Sequence, residues 1–149
     1  MFKKYKIGID IGGLILFLGV MIPNFIWFVV PAPNDVLRLE SVTQAIDTIA
    51  SVCQIIFVAA LCLLVREEKK KIKLSPFLAA TIICVLMYFT GWILYYSGNV
   101  SAPVMLLLII SPCLAFAFYA VDRRNIIALV PLIVFSCCHL VYGIANFIV

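Results

Sequence analysis

The stretch VTQAIDTIASVCQIIFVAALCLLVREEKKKIK, residues 42–73, decides how this chain is read. Residues 42–65 are long and apolar enough to cross the ~30 Å hydrocarbon core of a bilayer, which takes ~20 residues as a helix. The run then stops at Arg66, Lys69, Lys70, Lys71 and Lys73, a basic cluster of the kind that stays cytoplasmic. Working outward, four more apolar runs lie at 7–30, 76–97, 103–121 and 126–149, and together they fill nearly all of the 149 residues. The sequence predicts an all-α, polytopic integral membrane protein: five transmembrane helices in one bundle, a single domain over 1–149. Composition agrees, with 66% hydrophobic and 12% charged residues against ~25% charged in soluble domains.

The other cations complete the pattern. Lys3, Lys4 and Lys6 precede the first run and Arg123 and Arg124 separate the fourth from the fifth, whereas Arg38 stands alone on the alternate connections. The positive-inside bias then puts the N-terminus in the cytoplasm and the C-terminus outside. The net charge of +4 is thereby mostly an orientation signal; the lipid bilayer is the partner that the spans imply, and no nucleic-acid partner is expected. A four-span reading would break the charge alternation. A signal peptide would have an apolar core of ~7–15 residues, and here the run continues to Val30. Richness in Ile and Lys points to an AT-rich bacterial genome, and with the five spans to a multi-pass protein of a bacterial inner (cell) membrane. Topology is testable: a cysteine introduced at Asn99 should react with an impermeant reagent from outside, and one at Lys70 only after permeabilisation. Outside labelling at Lys70 would sink the orientation.

Helix association in lipid relies on close packing and interhelical hydrogen bonds. Gly8 and Gly12 form a small-residue pair in the first span and Ser111 and Ala115 another in the fourth. Pro23, Pro112 and Pro131 fall inside spans, where they kink helices and open space between them. The six cysteines form no C-x-x-C pair and none stands at zinc-ligand spacing with the single histidine, so no metal or cofactor is expected. Cys137 and Cys138 point about 100° apart on a helix, and all six are read as packing residues.

Polar residues in the outer half of the membrane carry the functional content. Gln44, Asp47, Ser51 and Gln54 recur at steps of three and four, within about an 80° arc on one face of the second span. This stripe descends ~15 Å into the bilayer at ~1.5 Å per residue, and Ser41-Val42-Thr43-Gln44 fits a capping box above it. A carboxylate at depth costs ~2.5–3.5 kcal/mol at a helix centre, so Asp47 is expected to face protein or water. Ser136, His139, Tyr142, Gly143 and Asn146 share a face of the fifth span by the same spacing, and Asp47 with His139 would hold a cation or relay a proton. Tyr88 and Trp92 would supply apolar walls from the third span, and Asn24 a polar group beside Pro23. Trp27, Tyr95 and Tyr96 read as interfacial anchors, and Pro31 to Asp35 as a stiff turn.

Two functions follow from these residues. The first is binding or transport of a small, partly apolar and cationic molecule in an outward-facing pocket between spans 2, 3 and 5, lined by Gln44, Asp47, Ser51, Gln54, Tyr88, Trp92, His139, Tyr142, Asn146 and Asn24. The second is an accessory or immunity subunit, a homo-oligomer or part of a larger membrane complex, whose stripe is buried against a partner helix. Catalysis is not expected, because Ser51 and Ser136 belong to no recognisable nucleophile motif, although Ser136 lies one turn from His139. No motif set ties the chain to a known family.

Overall fold

The computed structural model describes residues 5–67 and 74–148. Lys3, Lys4, Lys69, Lys70, Lys71, Lys73 and the terminal Val149 lie outside the described residues. The chain runs β1 (Tyr5–Ile7), α1 (Ile11–Val29), a short helical turn (Val36–Arg38), α2 (Gln44–Leu63), β2 (Leu64–Arg66), α3 (Pro76–Tyr96), α4 (Ala102–Asp122) and α5 (Ile126–Phe147). All five α-helices are long and apolar enough to cross a membrane, which suggests a multi-pass membrane protein.

Helix boundaries follow from local chemistry. Asp10 caps α1 by accepting from Gly13 N–H at 3.1 Å. Ser75 caps α3 through Leu78 N–H, with Pro76 in the first turn, where its missing N–H costs nothing. Asn125 caps α5 through Ala128 N–H and turns its own amide to the Ala60 and Leu64 carbonyls at the end of α2. At the end of α3, Gly98 adopts φ +89°, a left-handed conformation that glycine takes without steric cost, and the Asn99 N–H returns to the Leu94 carbonyl.

Helix α3 packs on α4, α4 on α5 and α5 on α2, and α1 lies across this body with few contacts. Central α4 buries the small pair Ser111 and Ala115, and the Ala115 carbonyl accepts from Thr81 of α3. A Cβ at Gly91 would stand 3.1 Å from atoms of Leu107 and Leu108, so this glycine sets how closely α3 approaches α4. Phe57 meets both Phe116 and Phe135 at the centre, with ring centroids 5.2 Å apart in each pair.

Helix α1 is fastened at its two ends. At the basic end, β1 pairs antiparallel with β2, Tyr5 opposite Arg66 and Ile7 opposite Leu64. The backbone continues this pairing, since Gly8 N–H reaches the Leu63 carbonyl and Asp10 N–H the Cys62 carbonyl. Asp10, 7% exposed, also accepts from the Tyr119 hydroxyl at 2.7 Å and from Arg123 Nε at 3.1 Å. Burial opposes its charge, but the bonds from Tyr119 and Gly13 and the Arg123 charge outweigh it and hold its pKa below the ordinary carboxylate value. Ser75 donates a short hydrogen bond to Asp122 nearby.

At the opposite end, Asp35 gathers the chain. Its carboxylate accepts from Trp27 Nε1 at 2.8 Å, Arg38 Nε at 2.7 Å, the Tyr95 hydroxyl at 2.9 Å and Ala32 N–H. Arg38 also lies over the Trp27 ring. Desolvation again works against the charge and is outweighed by these donors, so the Asp35 pKa is lowered. Tyr96 donates to the Val30 carbonyl and Asn34 to the Gly98 carbonyl.

Several expectations need correction. The first helix begins at Ile11 rather than at 7, because residues 5–7 find a ladder partner in β2; Gly8 therefore precedes the helix. Gly12, by contrast, faces Tyr119 within the subunit, a close helix contact of the kind expected. Tyr95 is no belt residue but fully buried at 0% exposure, since its hydroxyl has an acceptor in Asp35, and Trp27 and Tyr96 also spend their polar atoms on the 30–35 loop. That loop is a clasp on α3, not a plain turn. Ser41 does not cap α2: Thr43 occupies the cap position without a capping bond, and the Ser41 hydroxyl oxygen accepts from Thr43 N–H instead.

Candidate functional site

Between its two fastenings α1 stands away from the body, and the space beneath it is a cavity of about 470 Å³. Phe17, Val20, Met21 and Asn24 line it from α1, and Asp47, Ala50, Ser51, Gln54, Phe57 and Val58 from α2. Tyr88 closes it from α3, Pro112 and Phe116 from α4, and Phe135, His139 and Tyr142 from α5. Ser41 reaches it from the connection above. All five helices contribute: beside residues of α2, α3 and α5 and Asn24 of α1, the cavity takes apolar side chains from α1 and α4.

Asp47, Ser51, Gln54, Tyr88, His139, Tyr142 and Asn24 are thus brought together, and Asp47 and His139 share one cavity. Gln44, Trp92 and Asn146 are not among its lining residues. Gln44 is the exposed first residue of α2. Trp92 is buried among Tyr88, Tyr95 and Tyr96; its Nε1 makes no hydrogen bond of normal geometry, although it lies near enough to the Tyr88 hydroxyl to act on it electrostatically. Asn146 works behind the site. Its Oδ1 accepts from Val42 N–H, its Nδ2 donates to the Thr43 hydroxyl, and that hydroxyl donates to Asp47 Oδ1 at 2.9 Å. Asn146 is a positioning residue for the carboxylate.

The polar groups divide by what they spend their hydrogen bonds on. Asn24 donates to the Tyr88 hydroxyl at 2.7 Å and to the Val20 carbonyl, which fastens the wall. Ser51 donates to the Asp47 carbonyl one turn back, and Ser136 to the Leu132 carbonyl rather than to His139. By contrast, the Gln54 amide, the His139 imidazole, the Tyr142 hydroxyl and Asp47 Oδ2 make no hydrogen bond to the protein among the described residues. His139 is sandwiched instead, stacked on Phe135 at 5.1 Å and Tyr142 at 6.0 Å between centroids, so rings hold it while its nitrogens stay available. Asp47 is near enough for its charge to act on His139.

Chemically, one carboxylate stands in the first turn of α2, an amide lies about two turns further along the same helix, an imidazole comes from α5, and Phe57, Phe116 and Phe135 add aromatic rings. Among the described residues no Lys or Arg lines the cavity, which favours a positively charged or neutral guest over an anion. Among the described residues there is no group of three His, Cys, Asp or Glu fit to hold a metal ion, and the described cysteines are free thiols. A second, smaller hollow between α4 and α5, lined by Ile109, Cys113, Leu132 and Cys137 among others, is almost wholly apolar. No protein-family model, curated protein or solved structure matches the chain.

Proposed function

We propose that this is a multi-pass membrane protein that binds or transports a small, partly apolar cation in the cavity beneath α1. In this reading the N-terminus is cytoplasmic and the Asp47 end of the cavity faces outside. The observation that carries it is the unspent hydrogen-bonding capacity of Gln54, His139, Tyr142 and Asp47 around a single cavity. A stripe used as glue between helices would be paired across the interface, because buried polar groups are normally hydrogen-bonded. Asp47 is the counter-charge, Gln54 and His139 orient the guest, and Phe57, Phe116 and Phe135 receive its apolar part. A pocket of a few hundred Å³ with mostly apolar walls and few polar groups is the usual make-up of a small-molecule site.

The test uses Gln54. Replaced by leucine, a side chain that serves a ligand should leave the ligand-free protein equally stable or up to ~1 kcal/mol more stable. It should also weaken the thermal shift produced by alkylammonium ions. A side chain that bonds a neighbouring helix gives the opposite signs: lower stability and no change in ligand response. That outcome would return the stripe to packing and favour a subunit docked on a larger complex.

A further inference from the structure

Helices α1 and α2 converge at the basic end and part toward the other. At the convergence a Cβ on Gly13 would lie 3.1 Å from the Leu61 carbonyl, and backbone bonds join residues 8 and 10 to 63 and 62. Beyond that point no hydrogen bond links the two helices among the described residues. The far half of α1 is tied to α3 through Asn24 and Tyr88, and the start of α2 to α5 through Asn146. The cavity fills the wedge between them, and Ser51, a lining residue ~12 Å below Thr43 along α2, is exposed. Above the wedge the 39–42 strap returns from the α3 side to α2, with Leu39 and Val42 strongly exposed on either side of the lining residue Ser41.

We propose that the guest of this cavity enters sideways from the bilayer, through the gap between α1 and α2 below the strap, and is a single-chain amphiphilic amine. This rests on the cavity being a binding site. The charged head would come to Asp47 near the interface, and the chain would stay along Met21 and Ser51 with its end among the phenylalanines. A phospholipid headgroup does not fit as well, since its phosphate would sit beside Asp47 with no lining cation among the described residues to compensate it. A small hydrophilic cation gains little from the apolar floor.

The experiment compares two permanent cations with the same head, octyltrimethylammonium and tetramethylammonium, as association rates in lipid nanodiscs followed by intrinsic fluorescence. Ser51→Phe narrows the gap, and the ratio of octyl to tetramethyl association rates should fall by about tenfold or more. Met21→Ala widens it and should raise the same ratio, which keeps the test sound if the larger side chain disturbs folding. A ratio that stays the same in both variants, or moves in the opposite direction, overturns lateral entry while leaving the binding site standing. Failure of the wild type to bind either ion overturns the binding function itself and lateral entry with it.

Discussion

Replacing Asp10 by alanine should lower stability by about 3 kcal/mol, the low end of the range for breaking a buried ion pair, because the group lies at an end of the bundle rather than in its centre. The substitution removes the cap of α1 and the shared acceptor of Tyr119 and Arg123. Asp10→Asn keeps an acceptor without the charge and should fall between wild type and alanine. The pH dependence has a definite sign. The folded-state pKa is below the model-compound value of 3.8, so the contribution is fully present above that value and is lost as pH falls through the lower folded one. Thermal melts taken from neutral pH down to about pH 3 should therefore show a steeper acid loss for wild type than for Asp10→Asn. Equal melting of wild type and alanine variant at neutral pH would show that the fastening contributes nothing.

The second large effect is on binding. Asp47→Asn preserves shape and hydrogen-bonding capacity but removes the charge; octyltrimethylammonium has no N–H to donate, so what is lost is Coulomb attraction, ~1 kcal/mol in water to ~4 kcal/mol near a protein surface for unit charges ~4 Å apart. Affinity for octyltrimethylammonium should drop about 10- to 100-fold, with little change in the melting temperature of the ligand-free protein. Asn146→Leu, which releases Thr43 from its hold on Asp47, should produce a smaller loss of the same kind. Unaltered affinity in Asp47→Asn, read by ligand-induced thermal shift, would remove this carboxylate from the site.

Hydropathy and helical spacing carry far in this chain because both are local. The five long apolar runs became five helices, and the steps between Asp47, Ser51 and Gln54 brought those residues to one cavity. Gln44 misses it because the helix has only begun there. Sequence reasoning did not find Phe17, Val20, Met21 or Phe116, since an apolar residue beside a cavity looks like one in a packed core. The signal available was indirect: Asn24 shares a helix face with Val20 and Phe17 at spacings of four and seven. Tyr95 was misplaced for a related reason, because a tyrosine near a helix end suits the membrane interface as well as a buried acceptor such as Asp35. The Asp10, Tyr119 and Arg123 cluster is illegible locally, as Asp10 stands more than one hundred positions from the other two.

The order of synthesis gives the loose first helix a further meaning. Helix α1 leaves the ribosome before any group that fastens it: β2, Tyr88 and Tyr95, and last Tyr119 and Arg123. Until α4 is complete, Asp10 lacks two of its three side-chain or capping donors, and until α3 is complete Asn24 lacks Tyr88. A nascent chain arrested before Tyr119 should thus hold α1 by fewer bonds than the finished protein does, with Asp10 lacking Tyr119 and Arg123, and be more sensitive to protease at its basic end. Helix α1, made before the other four, would complete its fastening only with α4, and the cavity, which also takes Phe135, His139 and Tyr142 from α5, would close only after that.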